Sequence, residues 1–548
     1  MISRTCFRSL SDRLITLLAI SFCIAAVVYP QVTSIWVADN GDGTYKNPII
    51  NADYSDPDVI RVGTNFYMTA SSFNVVPGLP ILHSHDLVNW TIINHAVREL
   101  EPREIFDKPQ HGGGVWAPSI RFHKGTFYIY YGDPDFGIYM VKATDPAGMW
   151  SKPVLVKGAK GWIDPCPLWD DDGNVYLVHA FAGSRAGIKS ILVVNRMNSE
   201  GTQVVDDGVT VFDGHASDPT VEGPKYYKLN GYYYILAPAG GVSTGWQLAL
   251  RSKNIYGPYE KKIVLAQGKT AVNGPHQGAL VDTPIGEWWF LHFQDKGAYG
   301  RVVHLEPAVW KNGFPVIGAD PDGDGTGEPV MKFRKPNVGK VTYPIETPQD
   351  SDEFNTARIG PQWQWHANPR SEWALSFPEK GVIRLYSVEQ PSGFRNLWDV
   401  PNLLLQKFPA EEFVATAKVR LDARFEGERF GMVVMGADYS YIGVVNRKGK
   451  LYLSQSLAMD ADKGSVETEG PQVLVSSNDH YFRVSVKKGA ICSFSYSSDG
   501  KSYTGVGKPF KAREGRWIGA KIGFFFLRPG RFNDAGSADI DWFRFEKN

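Results

Sequence analysis

Five stretches of the chain share one order of apolar and polar positions. They read SDPDVIRVGTNFYMTASS from Ser55, WAPSIRFHKGTFYIYYG from Trp116, IDPCPLWDDDGNVYLVHA from Ile163, VEGPKYYKLNGYYYILAPAG from Val221 and HQGALVDTPIGEWWFLHFQD from His276. Each has a polar or aromatic residue at or next to its start, usually near a proline, and runs through a short apolar strand, a glycine-containing turn and an aromatic strand. Recurrence at spacings of tens of residues marks a repeat fold. Pro57, Pro118, Pro165 and Pro224 are separated by 61, 47 and 59 residues, room for one four-stranded blade per step with loops of unequal length. Lys124-Gly125, Asp172-Gly173-Asn174, Asn230-Gly231 and Ile285-Gly286 supply the positive φ that tight hairpins need. No segment here keeps an apolar period of 3.6, so the helices of a TIM barrel have no place. The pattern predicts a five-bladed β-propeller over about residues 47–340.

Beyond a proline-rich connector at 341–350 the repeat stops, but the alternation continues. FVATAKVRLDARF, RFGMVVMGADYSYIGVVNRKGKLYLSQS, HYFRVSVKKGAICSFSYSSDGKSY and ADIDWFRFE place apolar residues at every second position, as half-buried antiparallel strands do. Residues 351–548 are therefore expected to form a β-sandwich, and the whole chain is all-β.

The N-terminus departs from both patterns. Arg4, Arg8 and Arg13 precede LITLLAISFCIAAVVYP, an apolar run short for a membrane span. Residues 1–34 read as a signal peptide, which implies export to a periplasmic or extracellular space, with a retained anchor as the alternative. Phe22 ahead of Cys23 argues against lipidation. Two cysteines remain outside that segment, Cys166 and Cys492, one in each predicted domain; both read as buried small hydrophobes rather than a disulfide.

Charge narrows the partners. Lysine plus arginine and aspartate plus glutamate number 58 each, and no basic stripe appears, which argues against nucleic acid. Aromatic residues make up 13% of the chain, a composition suited to short strands and to stacking on sugar rings.

In a propeller the first strand of every blade lines the central channel, so the starts of the repeats converge. Three of them carry acids, Asp56, Asp164 and Glu222, and the other two present Trp116 and the pair His276-Gln277. A carboxylate at the start of a buried strand is costly unless paired or solvated, and a channel-floor pocket would solvate it. The bland alternative is that Asp-Pro and Glu-Gly-Pro only start turns, since Asp-Pro also occurs at Asp133, Asp145 and Asp218. Grouped carboxylates beside aromatic rings suit acetal cleavage: one protonated acid for the leaving oxygen, one ionised base for water or the anomeric carbon. A third carboxylate nearby holds the acid's pKa up.

The fragments NADYSDPDVIRVGTNFYMTASSF, PGLPILHSHDLVNW, GVWAPSI, WIDPCPLWDDDG, EGPKYYK and GRVVHLEP, in this order and spacing, resemble glycoside hydrolase family 43, the inverting β-xylosidases, α-L-arabinofuranosidases and arabinanases. The portion ending DIDWFRFE resembles the concanavalin-like jelly roll that follows the propeller in the xylosidase branch. The resemblance implies Asp56 as general base, Asp164 as the residue that orients the acid and raises its pKa, and Glu222 as general acid. It implies Phe73 and Trp116 as walls of the sugar pocket and Arg301 as a contact to sugar hydroxyls. Asp58, where the family commonly has serine, is a decoy or a supporting acid. Either His276 or Gln277 fills a place that is a His-Gly pair in the family, so a structural calcium in the channel is left open, as is a packed, hydrogen-bonded His276. The implied substrate is a plant cell-wall oligosaccharide of xylan or arabinoxylan type, attacked from its end to release β-D-xylose, α-L-arabinofuranose or both. No cofactor is required, and the sandwich is expected to close one side of the pocket. The competing readings are a non-catalytic glycan-binding propeller and a retaining fructan-type hydrolase.

Overall fold

The computed structural model of the chain describes residues 35–339 and 342–548, so the predicted signal segment lies outside the described residues. The five repeats are five separate four-stranded antiparallel sheets, each running outward in chain order. Their inner strands are Asp58–Val62, Ser119–His123, Trp162–Trp169, Lys225–Leu229 and His276–Asp282. Their outer strands are Trp90–Val97, Val154–Gly158, Val209–Asp213, Glu260–Leu265 and Phe314–Ile317. The turns are as the residue types demand. Lys124-Gly125 and Asn230-Gly231 have positive φ at both residues, the two-residue hairpin whose twist matches its flanking strands.

Among the described residues no strand is shared between the first and last blades, so the ring closes by other means. Thr44–Lys46 pairs with Lys332–Arg334 in a two-stranded ribbon, and Ile50 and Val303 exchange backbone hydrogen bonds. Asn47 donates to Leu305 O and Val330 O, and its own side-chain oxygen accepts from the Leu305 amide. Arg61 of the first blade forms an ion pair with Asp282 of the fifth.

Further along the inner strands, Asp58 is fully buried and accepts from the Ile120 amide and from Arg121, at 2.6 and 2.7 Å. Arg121 also reaches the Cys166 sulfur, which accepts from the Tyr226 amide. Asp58 is thus the anion of an inter-blade ion pair. A buried arginine left without that anion would be strongly destabilising, which accounts for an acid two residues after Asp56. Cys166 and Cys492 are both free and buried.

The C-terminal region is a two-sheet sandwich. One sheet is built from seven strands around Phe413–Asp422, the other from nine around Lys521–Arg528. Phe413, Ala415, Ala417, Val419 and Leu421 face the shared core, the alternation read in the sequence. The sandwich is stitched to the propeller by main-chain bonds: Val76 and Trp365 exchange a pair, Asn368 N donates to Phe106 O, and Ala520 N donates to Ala298 O. These bonds fix where the loops of the sandwich meet the rim of the propeller.

Candidate active site

The chain turns sharply just before each inner strand. Asp56, Asp164 and Gly223 each precede a proline, and each has a left-handed backbone, with φ of 54°, 57° and 59°; Gln277 in the fifth blade has φ of 32°. Such φ values are unfavourable for residues with a Cβ and cluster at functional sites. The strand register slips between Ile163 and Cys166 and between His276 and Gly278, so these side chains leave the ladder and turn into the channel.

The repeat frame needs one correction. Glu222 stands one residue ahead of the position held by Asp56 and Asp164, which glycine occupies in the fourth blade. The reason is steric and polar together. A Cβ on Gly223 would lie 2.6 Å from Gln277 Cδ, and the Gly223 amide donates to Asp164 Oδ2 at 2.7 Å. The glycine thereby fixes the carboxylate of one blade against the carboxyl of the next.

Asp56, Asp164 and Glu222 line one cavity of about 180 Å3, with Phe73, Trp116, His276, Gln277 and Arg301 also in its wall. All eight residues singled out from the sequence therefore meet in a single pocket. Asp56 is held at both oxygens: Oδ2 accepts from Ser55 and Ser71 at 2.7 and 2.6 Å, and Oδ1 lies 3.4 Å from Arg301 Nη1. Arg301 also donates to Ser55 Oγ at 2.7 Å, which locks the serine proton toward Asp56. Burial pushes the Glu222 carboxyl up to about 8, the negative charges of Asp164 and Asp56 add to the rise, and Arg301 and Lys189 oppose it. Glu222 keeps a quarter of its side-chain exposure, all the access a proton donor at a pocket floor needs. Burial raises Asp164 as well, but the Gly223 amide favours its ionised form. Glu222 has no comparable donor, so the proton the pair shares belongs on Glu222.

Phe73 and Trp116 meet edge to face, ring centroids 6.3 Å apart, with the Trp116 indole anchored on Gly112 O. His276 packs on Phe293 and lies 3.6 Å from Glu222. It is packed but not hydrogen-bonded, because neither ring nitrogen has a hydrogen-bond partner among the described residues. Burial holds it neutral, its pKa depressed to about 3. Calcium takes roughly six to eight oxygen ligands, and among the described residues no group of three ligating side chains includes His276.

Several pocket residues carried no signal in the repeats. Phe181 ends the second strand of the third blade, and Lys189 and Val242 come from loops of the third and fourth blades. Ser71, which orients Asp56, is the first serine of the TASS run that the repeat reading treated as strand, and it lies just beyond the strand's end at Thr69. Trp517 comes from the sandwich, 295 residues beyond Glu222 in sequence, its ring 6.0 Å from Trp116 and 5.7 Å from the Arg301 guanidinium. Its loop is tied down by Asp53, whose Oδ2 accepts from Gly519 N and whose Oδ1 accepts from Arg301 N. One carboxylate thus sets both an arginine of the pocket and the loop that closes it. An exposed tryptophan between glycines, GRWIG, was the available hint. Trp517→Ala is expected to lower kcat/KM about tenfold, the worth of one aromatic contact, with an unchanged melting temperature because Trp517 is 45% exposed.

The same architecture is found in other proteins. Residues 45–315 match the model for glycosyl hydrolases family 43, and residues 351–546 match that for the beta xylosidase C-terminal concanavalin A-like domain. A putative beta-xylosidase of Xylanibacter ruminicola is 41% identical over 491 residues, covering 88% of this chain and 86% of the relative. A non-reducing end alpha-L-arabinofuranosidase of Bacteroides ovatus is 28% identical over 543 residues, covering 93% and 97%. The solved structure titled Bacteroides ovatus Xyloglucan PUL GH43B superposes with a TM-score of 0.76 at 26% identity, over 92% of this chain and all of that one. With the acids gathered in one pocket and both halves of the chain matched in order, this protein is a glycoside hydrolase and belongs to glycosyl hydrolase family 43.

Proposed function

We propose that the enzyme releases terminal pentoses, β-D-xylose or α-L-arabinofuranose, from xylan- or arabinoxylan-type oligosaccharides with inversion at the anomeric carbon. The carrying observation is the meeting of three carboxyl groups from three blades in a pocket that a loop of the sandwich closes on one side. Asp56 is the general base: Ser55 and Ser71 occupy Oδ2, so Oδ1 is the oxygen that takes a proton from water. Glu222 is the general acid, kept protonated at neutral pH so that it can give its proton to the departing glycosidic oxygen. Asp164 orients this acid through Gly223 and, as a nearby negative charge, keeps the proton on it. Arg301, with Phe73, Trp116 and Trp517, holds the sugar. A small pocket with an aromatic lid favours one terminal ring over the interior of a chain, hence exo-action. The relatives named beta-xylosidase and alpha-L-arabinofuranosidase support this substrate class. The basic and then apolar N-terminus supports export of the enzyme to where such oligosaccharides occur.

The test is NMR of the first-formed anomer on a panel of aryl β-D-xylosides, aryl α-L-arabinofuranosides and arabinoxylan fragments. Release of a pentose with inverted configuration is expected. Retention, or binding of xylo-oligosaccharide without release, would overturn the proposal in favour of a retaining hydrolase or a binding module.

Asp164→Asn gives a pH-dependent check. Removing this negative charge stabilises the ionised form of Glu222, so its pKa falls and the protonated acid is lost at lower pH. The alkaline limb of the kcat/KM profile should move toward acid while the acid limb stays in place. An unmoved alkaline limb would mean that Asp164 does not act on the acid.

A further inference from the structure

We propose that His292, His304 and Glu306 form a structural site for a zinc-class divalent cation that ties the closing blade to the chain segments flanking the propeller. The three residues lie on adjacent strands of the fifth blade, Trp288–Asp295 and Arg301–Lys311, where His292 and His304 are cross-strand partners. All three are fully buried, and one ligand atom from each lies within 4.8 Å of the others. None of them lines the catalytic pocket.

The hydrogen bonds determine where the lone pairs are. Nδ1 of His292 is 3.1 Å from Phe293 O, which can only accept, so Nδ1 carries the ring proton and Nε2 the lone pair. Nε2 faces Glu306 Oε1 at 3.2 Å, a second acceptor. Two lone pairs in that position require a proton or a cation between them. In His304, Nε2 is 3.2 Å from Gln294 Oε1. The amide nitrogen of Gln294 donates to Ala271 O and Asn273 Oδ1, so its oxygen is the end turned to His304. Nε2 of His304 therefore carries the proton, and Nδ1, buried without a hydrogen-bond partner among the described residues, carries the lone pair.

Each candidate ligand is thus held from behind, as metal-binding histidines and carboxylates are: His292 by a carbonyl, His304 by a fixed amide, Glu306 by the Val330 amide on Oε2. Metal bonds of about 2.0–2.1 Å in a tetrahedron put neighbouring ligands about 3.3 Å apart, close to the 3.2 Å between His292 and Glu306. Two imidazoles and one carboxylate suit zinc and its transition-metal neighbours, whereas calcium and magnesium seek all-oxygen sets. Glu306 Oε1 also accepts from Asn47, 3.3 Å away, so this carboxylate already joins the segments before and after the propeller to its last blade. An ion there would strengthen a ring that no shared strand closes.

Because the site is enclosed, the full chain is unfolded in guanidinium with EDTA and refolded with or without zinc chloride. Metal content after desalting and the melting temperature are then read. The expected result is about one zinc per chain and a melting temperature several degrees above that of the metal-free protein. His304→Ala and His292→Ala should retain no zinc and show no difference between the two refolding conditions. Should either variant fail to fold, refolding the wild-type chain with cobalt(II) reads the site directly, through the visible bands of a four-coordinate ion. Wild-type protein that retains no metal and melts identically with and without zinc would overturn the proposal and leave a proton between His292 and Glu306. Equal retention by the wild type and both variants would overturn it too.

Discussion

Replacing Glu222 by glutamine lowers kcat on xylo-oligosaccharides by about three orders of magnitude, and by far less on an aryl pentoside whose phenol departs unaided, if Glu222 is the proton donor. The dependence on the leaving group is the informative part. A sugar alkoxide is a poor leaving group and must be protonated as the bond breaks, whereas a nitrophenolate need not be. Glutamine keeps the shape of the side chain and its place beside His276, so a loss confined to natural substrates reports chemistry and not collapse of the pocket. The alkaline limb of the pH profile, which follows the raised pKa of Glu222, should disappear in this variant. Steady-state kinetics on both substrate types decide the matter, and an equal loss on both would remove Glu222 from the role of acid.

Asp56→Asn shows the opposite pattern: a fall of about four orders of magnitude on every substrate, whatever the leaving group. Water must lose a proton in the transition state however readily the alcohol departs, and an amide cannot take it. The surroundings survive the change, since an asparagine carbonyl can still accept from Ser55 and Ser71. The charge opposite Arg301 is lost, so KM is expected to shift modestly. If Asp56→Asn kept a tenth of wild-type turnover, another group would have to activate water. Asp58 is not that group, because its carboxylate is fully buried in the ion pair with Arg121 and does not line the pocket.

The two variants together separate acid from base without a ligand complex. The same separation bears on Asp164. It sits at the repeat position of Asp56, with the same left-handed backbone, yet the Gly223 amide binds its Oδ2. Equivalent places in a repeat do different work because the neighbouring blade presents a different partner to each.

Local pattern was enough to reveal the blades, the sandwich and the acids. A period of two in apolar positions, glycine at hairpin turns and five similar openings are all written within about twenty residues, and side chains at the start of inner strands must converge once the ring forms. Asp56, Asp164, Glu222, Phe73, Trp116, His276, Gln277 and Arg301 could be singled out for that reason or by resemblance, and all of them line the pocket. The one-residue offset of Glu222 stands in the sequence as Glu-Gly-Pro against Asp-Pro, but its reason was not legible, because it depends on Gln277 lying against Gly223 across a blade boundary. Nor was Trp517, whose position follows from Asp53 gripping Gly519 and from main-chain bonds between domains. What the order of residues determined by itself was therefore the kind of elements and the residue types delivered to the channel, since both follow from short-range periodicity. What only the tertiary structure decided was which partners hold each carboxyl and what covers the pocket, since both are set by burial and by contacts from distant segments.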